Sequence, residues 1–158
     1  MKKLLAILLV VITLFLTSCS KESKFGIEQF VDRMNRTFDT NLNTNSFLLS
    51  KRNENNILFS TDGTSMTALT INRDNNIKGL SILITAGGNI ETTKTTFCQM
   101  CSILTGNDFT EQLKIFNDSE FFSEKIIFAD GNEFITVGRF KYTIVSNTYS
   151  ITFMCDRV

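Results

Sequence analysis

After residue 46 the chain alternates between short runs of β-branched or aromatic residues and clusters that favour tight turns. The clusters are rich in Asn or contain Asp-Gly or Gly-Gly, and the four runs cover residues 47–52, 57–60, 65–72 and 77–85. Asn, Asp and Gly adopt the backbone conformations that hairpin turns require. The pattern therefore predicts four consecutive antiparallel strands.

Alternation along the predicted strands indicates which side chains share a face. Leu80, Ile82 and Ile84 alternate along the chain with a second set, which consists of Ser81, Leu83 and Thr85. A sheet with one buried face requires this period of two residues. Three further strands are predicted at the end of the chain, over residues 126–129, 134–145 and 149–156. In the last of these strands, one face is expected to consist of Tyr149, Ile151, Phe153 and Cys155.

A helix is predicted immediately before the strands. Apolar residues recur at helical spacing between Ile27 and Phe38, and Gly26 is suited to the N-cap position with Gln29 at the third helical position. Phe25 precedes the cap and is expected to contact Phe30 in a hydrophobic staple.

Two more helices are predicted between the two groups of strands. One covers residues 90–105 and ends at Gly106, and a shorter one starts after Asp108. This order lacks the strand–helix alternation of parallel sheets, so the expected class is α+β, in the order α-ββββ-αα-βββ. We expect an antiparallel β-sheet meander with the N-terminal helix and the central helix pair packed on one face. Because 42% of the residues are hydrophobic, residues 25–158 are expected to form a single globular domain.

The first nineteen residues have the composition of an export signal. Lys2 and Lys3 are followed by an apolar run from Leu4 to Leu16, and the composition turns polar after Cys19. A positive start, an apolar core of about thirteen residues and small residues before a cleavage point are typical of secretory signal peptides. The run is short for a permanent membrane span, which needs roughly twenty apolar residues.

The end of this segment resembles the lipobox of bacterial lipoproteins. Leu16, Thr17, Ser18 and Cys19 match its pattern of an aliphatic residue, two small residues and a cysteine. The resemblance implies that residues 1–18 are removed, that Cys19 carries the lipid, and that residues 19–24 form a short tether to the membrane. It also implies an exported protein that faces outside the cytoplasm. Ser20 after the cysteine resembles the pattern routed to an outer membrane, and the choice between that and the cell membrane stays open.

Composition excludes several functional classes. The chain has no His, which excludes histidine-based nucleophilic catalysis and histidine metal ligands. It also has no Pro, so no cis-proline can lie beside an active site. Without Lys2 and Lys3 the net charge is about −2 and no basic run follows the tether, so nucleic acid is not an expected partner. We predict no catalytic residue, no cofactor and no metal site.

Three cysteines belong to the expected domain. Cys98 and Cys101 have the Cys-x-x-Cys spacing of thiol–disulfide oxidoreductases, but they fall in the second half of a predicted helix rather than at its start. A metal site would need a fourth ligand besides these two and Cys155. Two alternatives remain: a disulfide between Cys101 and Cys155, or three reduced cysteines buried as small hydrophobic residues.

The sequence favours a non-catalytic binding module at the cell envelope. Its partners would be the membrane, through Cys19, and another envelope protein. An exposed apolar patch would mark such an interface. The candidates for this patch are Leu83, Phe134, Val137 and Phe140. The alternative is a small envelope hydrolase that uses carboxylate or Ser/Lys residues, which a cleft with converging carboxylates would support.

Overall fold

The computed structural model describes residues 25–52, 55–61, 64–85, 87–127 and 130–158. The predicted signal peptide, the tether and Cys19 lie outside these residues. The α+β class and the order of elements are confirmed, with an antiparallel sheet and helices on one side of it.

Helix α1 spans Ile27–Phe38 and begins as the sequence predicts. The Gly26 N–H donates to Gln29 Oε1 at 2.7 Å, which satisfies one of the donors that a helix start leaves open. The rings of Phe25 and Phe30 meet edge to face with their centroids 6.2 Å apart, so the hydrophobic staple is present. A left-handed residue, Asp39, ends the helix.

Four strands follow a single 3-10 turn at Thr44–Ser46. They are β1 (Leu48–Arg52), β2 (Asn55–Thr61), β3 (Ser65–Ile71) and β4 (Ile77–Thr85). The β3–β4 turn is held by the side chain of Asn72, whose Oδ1 accepts from the N–H groups of Asp74 and Asn76. Each strand pairs with the next in antiparallel register, as predicted.

Helices α2 (Ile90–Thr105) and α3 (Phe109–Asp118) both begin with a side-chain cap. Asn89 Oδ1 accepts from the Thr92 N–H at 2.9 Å, and Asp108 Oδ1 accepts from the Glu111 N–H at 2.7 Å. These caps fix the residues at which both helices begin.

The prediction of a strand over residues 126–129 is wrong. Residues Glu124–Ile127 form a short helix, α4, in which the Ile127 N–H donates to the Ser123 carbonyl at 3.0 Å. Ile127 is buried, and a short apolar run of this kind fits a helix as well as a strand. Residues 128–129 lie outside the described part of the chain.

The long strand predicted over residues 134–145 is two strands, β5 (Gly131–Val137) and β6 (Phe140–Asn147). Gly138 has a φ of 60° at the first central position of the turn between them, as in type II′ hairpins. A glycine reaches this conformation without strain, so a single Gly reverses the chain where no Asn or Asp cluster marks a turn.

The last strand, β7, spans Ser150–Arg157 and starts one residue later than predicted. Asn147 Oδ1 accepts from the N–H groups of Tyr149 and Ser150, at 2.8 and 3.0 Å. This side-chain turn leaves Tyr149 in the loop with 79% of its surface exposed, so the prediction that it shares a face with Phe153 and Cys155 is wrong. Phe153 and Cys155 are buried as expected.

The seven strands form one antiparallel sheet in the order β1-β2-β3-β4-β7-β6-β5. The C-terminal meander therefore joins the first one through the β4–β7 pair. Alternate residues of the central strands face the helices, and Leu80, Ile82 and Ile84 are all buried there. The core between sheet and helices is aromatic: Phe116 stacks on Phe97 and Phe121 with centroids 5.8 and 5.1 Å apart.

Candidate functional site

The face of the sheet opposite the helices is the broadest candidate site, and we call it the outer face. On β4, Ser81, Leu83 and Thr85 alternate with the buried residues and so belong to this face. Side chains directly opposite one another in antiparallel strands point to the same side. The register of the sheet therefore extends the outer face from β4 across its neighbours.

Two rows of side chains run across the outer face from β3 to β5. The first consists of Met66, Leu83, Thr152, Val145 and Asn132. The second consists of Ala68, Ser81, Met154, Thr143 and Phe134. All the residues of both rows are uncharged, and Phe134 has 60% of its surface exposed.

Charge begins in the next row, at Lys141 and Asp156. These residues face each other across the β6–β7 pair. Burial raises the pKa of the Asp156 carboxyl, and the positive charge of Lys141 counteracts this only in part. Lys141 Nζ also lies 4.3 Å from the centre of the Phe134 ring, a cation–π distance. This charged row borders the uncharged rows on one side.

The apolar patch predicted from the sequence is divided between the two faces of the sheet. Leu83 and Phe134 lie on the outer face, where Leu83 is half-buried. Val137 pairs with Phe140, and Phe140 packs against the core on the helix side. The prediction of one continuous patch is therefore wrong. Phe134 and Val137 are three residues apart in β5 and so point to opposite faces of the sheet, and the turn at Gly138 pairs Phe140 with Val137 on the helix side.

Several outer-face residues were missed by sequence reasoning. Met66 and Met154 reach the same face from strands that are far apart in the chain. Alternation within each strand is visible in the sequence, but the pairing of β4 with β7 is not. This pairing is what joins the two meanders into one surface.

The three cysteines of the domain lie inside it as free thiols. Cys101 and Cys155 are in hydrogen-bonding contact, and burial is the main reason why the pKa of Cys101 is raised well above its usual value. Burial also raises the pKa of Cys98 to about 12, so its thiolate is scarce at neutral pH. In Cys-x-x-Cys oxidoreductases the attacking cysteine has a lowered pKa and lies at the start of a helix, whereas the pKa of Cys98 is raised and Cys98 lies far along α2 from Asn89.

A groove of about 720 Å³ between α2 and α3 contains two carboxylates at its margin. Glu91 and Glu120 both line it, together with Lys94 and Ser123. Glu91 binds Lys94 Nζ at 2.6 Å, and its side chain is 80% exposed to solvent. An ion pair between residues three positions apart is common on helices, so this pair does not by itself indicate a catalytic site.

Within the described ranges, no group of three or more Cys, Asp or Glu side chains is placed to hold a metal ion. In the same ranges, no helix has the length and apolar character needed to cross a membrane. Comparison of the chain with protein-family models, curated proteins and solved structures finds no match.

Proposed function

We propose that this chain is a bacterial lipoprotein whose domain is a non-catalytic interaction module at the cell envelope. The sequence of residues 1–19 supports export and attachment of a lipid to Cys19. A lipoprotein anchor carries two or three acyl chains, which exceeds the marginal binding of a single chain. The domain would then be held at the membrane surface, outside the cytoplasm.

The uncharged outer face is the observation that supports an interaction role. The centres of protein–protein interfaces are depleted in charge and enriched in aromatic residues and Met. Met66, Met154 and Phe134 supply these residue types within two uncharged rows. In the described part of the chain, the helices pack on the other side of the sheet and leave this face uncovered. The partner we propose is another protein of the envelope, with an apolar surface of its own.

Site-specific crosslinking in cells tests this proposal. A photoreactive amino acid is placed at Thr152, in the middle of the outer face, and at Lys114, an exposed position of α3 on the helix side. We expect one discrete protein adduct from Thr152 and none from Lys114. Leu83→Lys, which puts a charge beside Thr152, is expected to remove the adduct while the protein remains abundant.

Other results would contradict the interaction role. Adducts of the same pattern from both crosslinker positions would indicate random collisions. The absence of an adduct from Thr152 in the anchored protein would remove the outer face as a docking surface.

A second candidate function is an envelope hydrolase, which would use the two carboxylates that line the groove, Glu91 and Glu120. Purified protein incubated with cell-wall peptidoglycan would then release soluble fragments, and Glu120→Gln would stop this release. Release that persists in the Glu120→Gln variant would exclude Glu120 as the catalytic acid or base.

A further inference from the structure

A cavity of about 550 Å³ lies at the end of the sheet where β4 begins and β7 ends. Four basic residues line it: Arg33, Lys78, Arg139 and Arg157. Among the described residues that form its wall, none is acidic. We call this feature the basic cavity. Its positive charge is notable in a domain whose net charge is slightly negative.

The fold brings these four residues together from separate parts of the chain. Arg33 extends from α1 with its Cζ 4.9 Å from the centre of the Phe25 ring. Arg139 lies in the turn between β5 and β6, where its carbonyl accepts from the Val158 N–H at 2.9 Å. This bond fixes the turn beside the end of β7, which carries Arg157.

Phe25, the first described residue after the predicted tether, lies at the same place. Phe25 lines the basic cavity, and both its backbone N–H and its carbonyl are hydrogen-bonded. Its N–H donates to Asn76 Oδ1 at 2.8 Å, and its carbonyl accepts from the Ile77 N–H at 2.9 Å. Only residues 20–24 separate Phe25 from Cys19, and the six Cα-to-Cα steps from Cys19 to Phe25 span at most about 22 Å. A lipid on Cys19 therefore holds the basic cavity close to the bilayer.

We propose that the basic cavity binds the phosphate groups of anionic phospholipids in the membrane that holds the anchor. The proposal rests on the anchoring of Cys19 proposed above. Arginine binds phosphate oxygens through paired N–H donors, and each basic residue near an anionic membrane strengthens binding by about fivefold. Phe25 and Phe140 add apolar surface at the wall of the same cavity.

This contact would also orient the domain. The basic cavity lies at one end of the strands, so the strands point away from the membrane when the cavity faces it. The outer face is then roughly perpendicular to the plane of the membrane and remains accessible to a protein partner.

Vesicle binding tests the proposal with a soluble chain that starts at Ser20 and keeps every described residue, including the whole core. Binding is measured by co-flotation with vesicles of phosphatidylcholine alone, or with about a third phosphatidylglycerol. We expect binding to the anionic vesicles only, and about a tenfold loss or more in the variant Lys78→Gln/Arg139→Gln. The matched control Lys94→Gln/Lys114→Gln removes the same charge elsewhere and is expected to bind within about twofold of the unchanged protein.

Three results would overturn the proposal. The first is equal binding to both kinds of vesicle, and the second is an equal loss in the control variant, which would indicate a general charge effect. The third is displacement from anionic vesicles by millimolar inorganic phosphate at constant ionic strength, which would assign the cavity to a soluble phosphate compound. Anchoring is tested separately through Cys19, because the soluble chain lacks this residue, so the failure of either proposal can be recognised.

Discussion

Tyr142 of β6 donates its hydroxyl hydrogen to Oε1 of Gln112 in α3 over a distance of 3.4 Å. The same oxygen accepts from Thr105 Oγ1 at 3.2 Å. Both Tyr142 and Gln112 are buried, and Gln112 Nε2 has no hydrogen-bond partner among the described residues. This polar contact fixes α3 over the sheet, and it sits beside Phe116, whose ring meets that of Tyr142 edge to face at 5.1 Å.

Tyr142→Phe is expected to lower the free energy of unfolding by about 1 kcal/mol. The change removes one long hydrogen bond but leaves Gln112 Oε1 its bond from Thr105, so no acceptor becomes orphaned. Urea unfolding, followed by circular dichroism, measures the change. Phe116→Ala serves as a comparison and is expected to cost about 3–5 kcal/mol, because it opens a cavity among packed rings. If Tyr142→Phe lowered the free energy of unfolding as much as Phe116→Ala does, the hydroxyl would contribute more to stability than its one hydrogen bond to Gln112 explains.

Asp156→Asn is expected to raise the free energy of unfolding at pH 7. Burial raises the pKa of Asp156 in the folded state, so the folded protein binds this proton more tightly than the unfolded chain does. The contribution of this group to stability is therefore fully present below the unfolded-state pKa of about 3.9, and it is lost as the pH rises through the folded-state pKa. The amide has no charge to bury, so the variant avoids this loss.

The pH dependence of urea unfolding checks the sign of this effect. The advantage of Asp156→Asn over the unchanged protein is expected to be larger at pH 7 than at pH 3.5. Glu133→Gln, at an exposed position of the edge strand β5, is the control and is expected to show little difference between the two pH values. A larger advantage at pH 3.5 would mean that attraction to Lys141 outweighs burial.

The thiols of Cys98, Cys101 and Cys155 are expected to resist alkylation in the native protein. All three are buried, so the reagent has little access to their sulfur atoms. Burial also raises the pKa of Cys98 and of Cys101, so little of the reactive thiolate form is present. Iodoacetamide labelling at pH 8, followed by mass spectrometry, should be about 100-fold slower than in denaturant. A disulfide between Cys101 and Cys155 in protein isolated without reductant would contradict the reduced state and support the other alternative for this pair.

Elements with strong local signals were predictable from the sequence. The bounds of β4 were predicted from alternation, and the end of α2 was predicted from Gly106, whereas the Asn89 cap at the start of α2 was not identified from the sequence. The division between β5 and β6 was not predictable, because the turn has one glycine and no cluster of polar residues around it. Helix α4 was missed because its few apolar residues fit either periodicity.

The candidate surfaces were harder to predict than the fold. Lys78 and Arg139 lie about 60 residues apart in the chain, so the sequence contains no run of basic residues that would predict the basic cavity. The two rows of the outer face depend on the pairing of β4 with β7, which is a contact of distant segments. In both cases local pattern sets which side chains are available, and the sheet order decides which of them meet.

Cys19→Ala is expected to block lipid attachment and processing of the precursor. The lipobox resemblance places the lipid on the Cys19 thiol, and Ala offers no sulfur to form the thioether. Metabolic labelling with a fatty acid, together with fractionation, is expected to show a labelled mature protein in the membrane. The variant is expected to be unlabelled and to retain the precursor size. Ser18→Ala keeps a small residue before the cysteine and is the matched control, expected to be labelled and cleaved normally. Detection of Cys19→Ala at mature size in the membrane fraction would contradict the lipoprotein assignment.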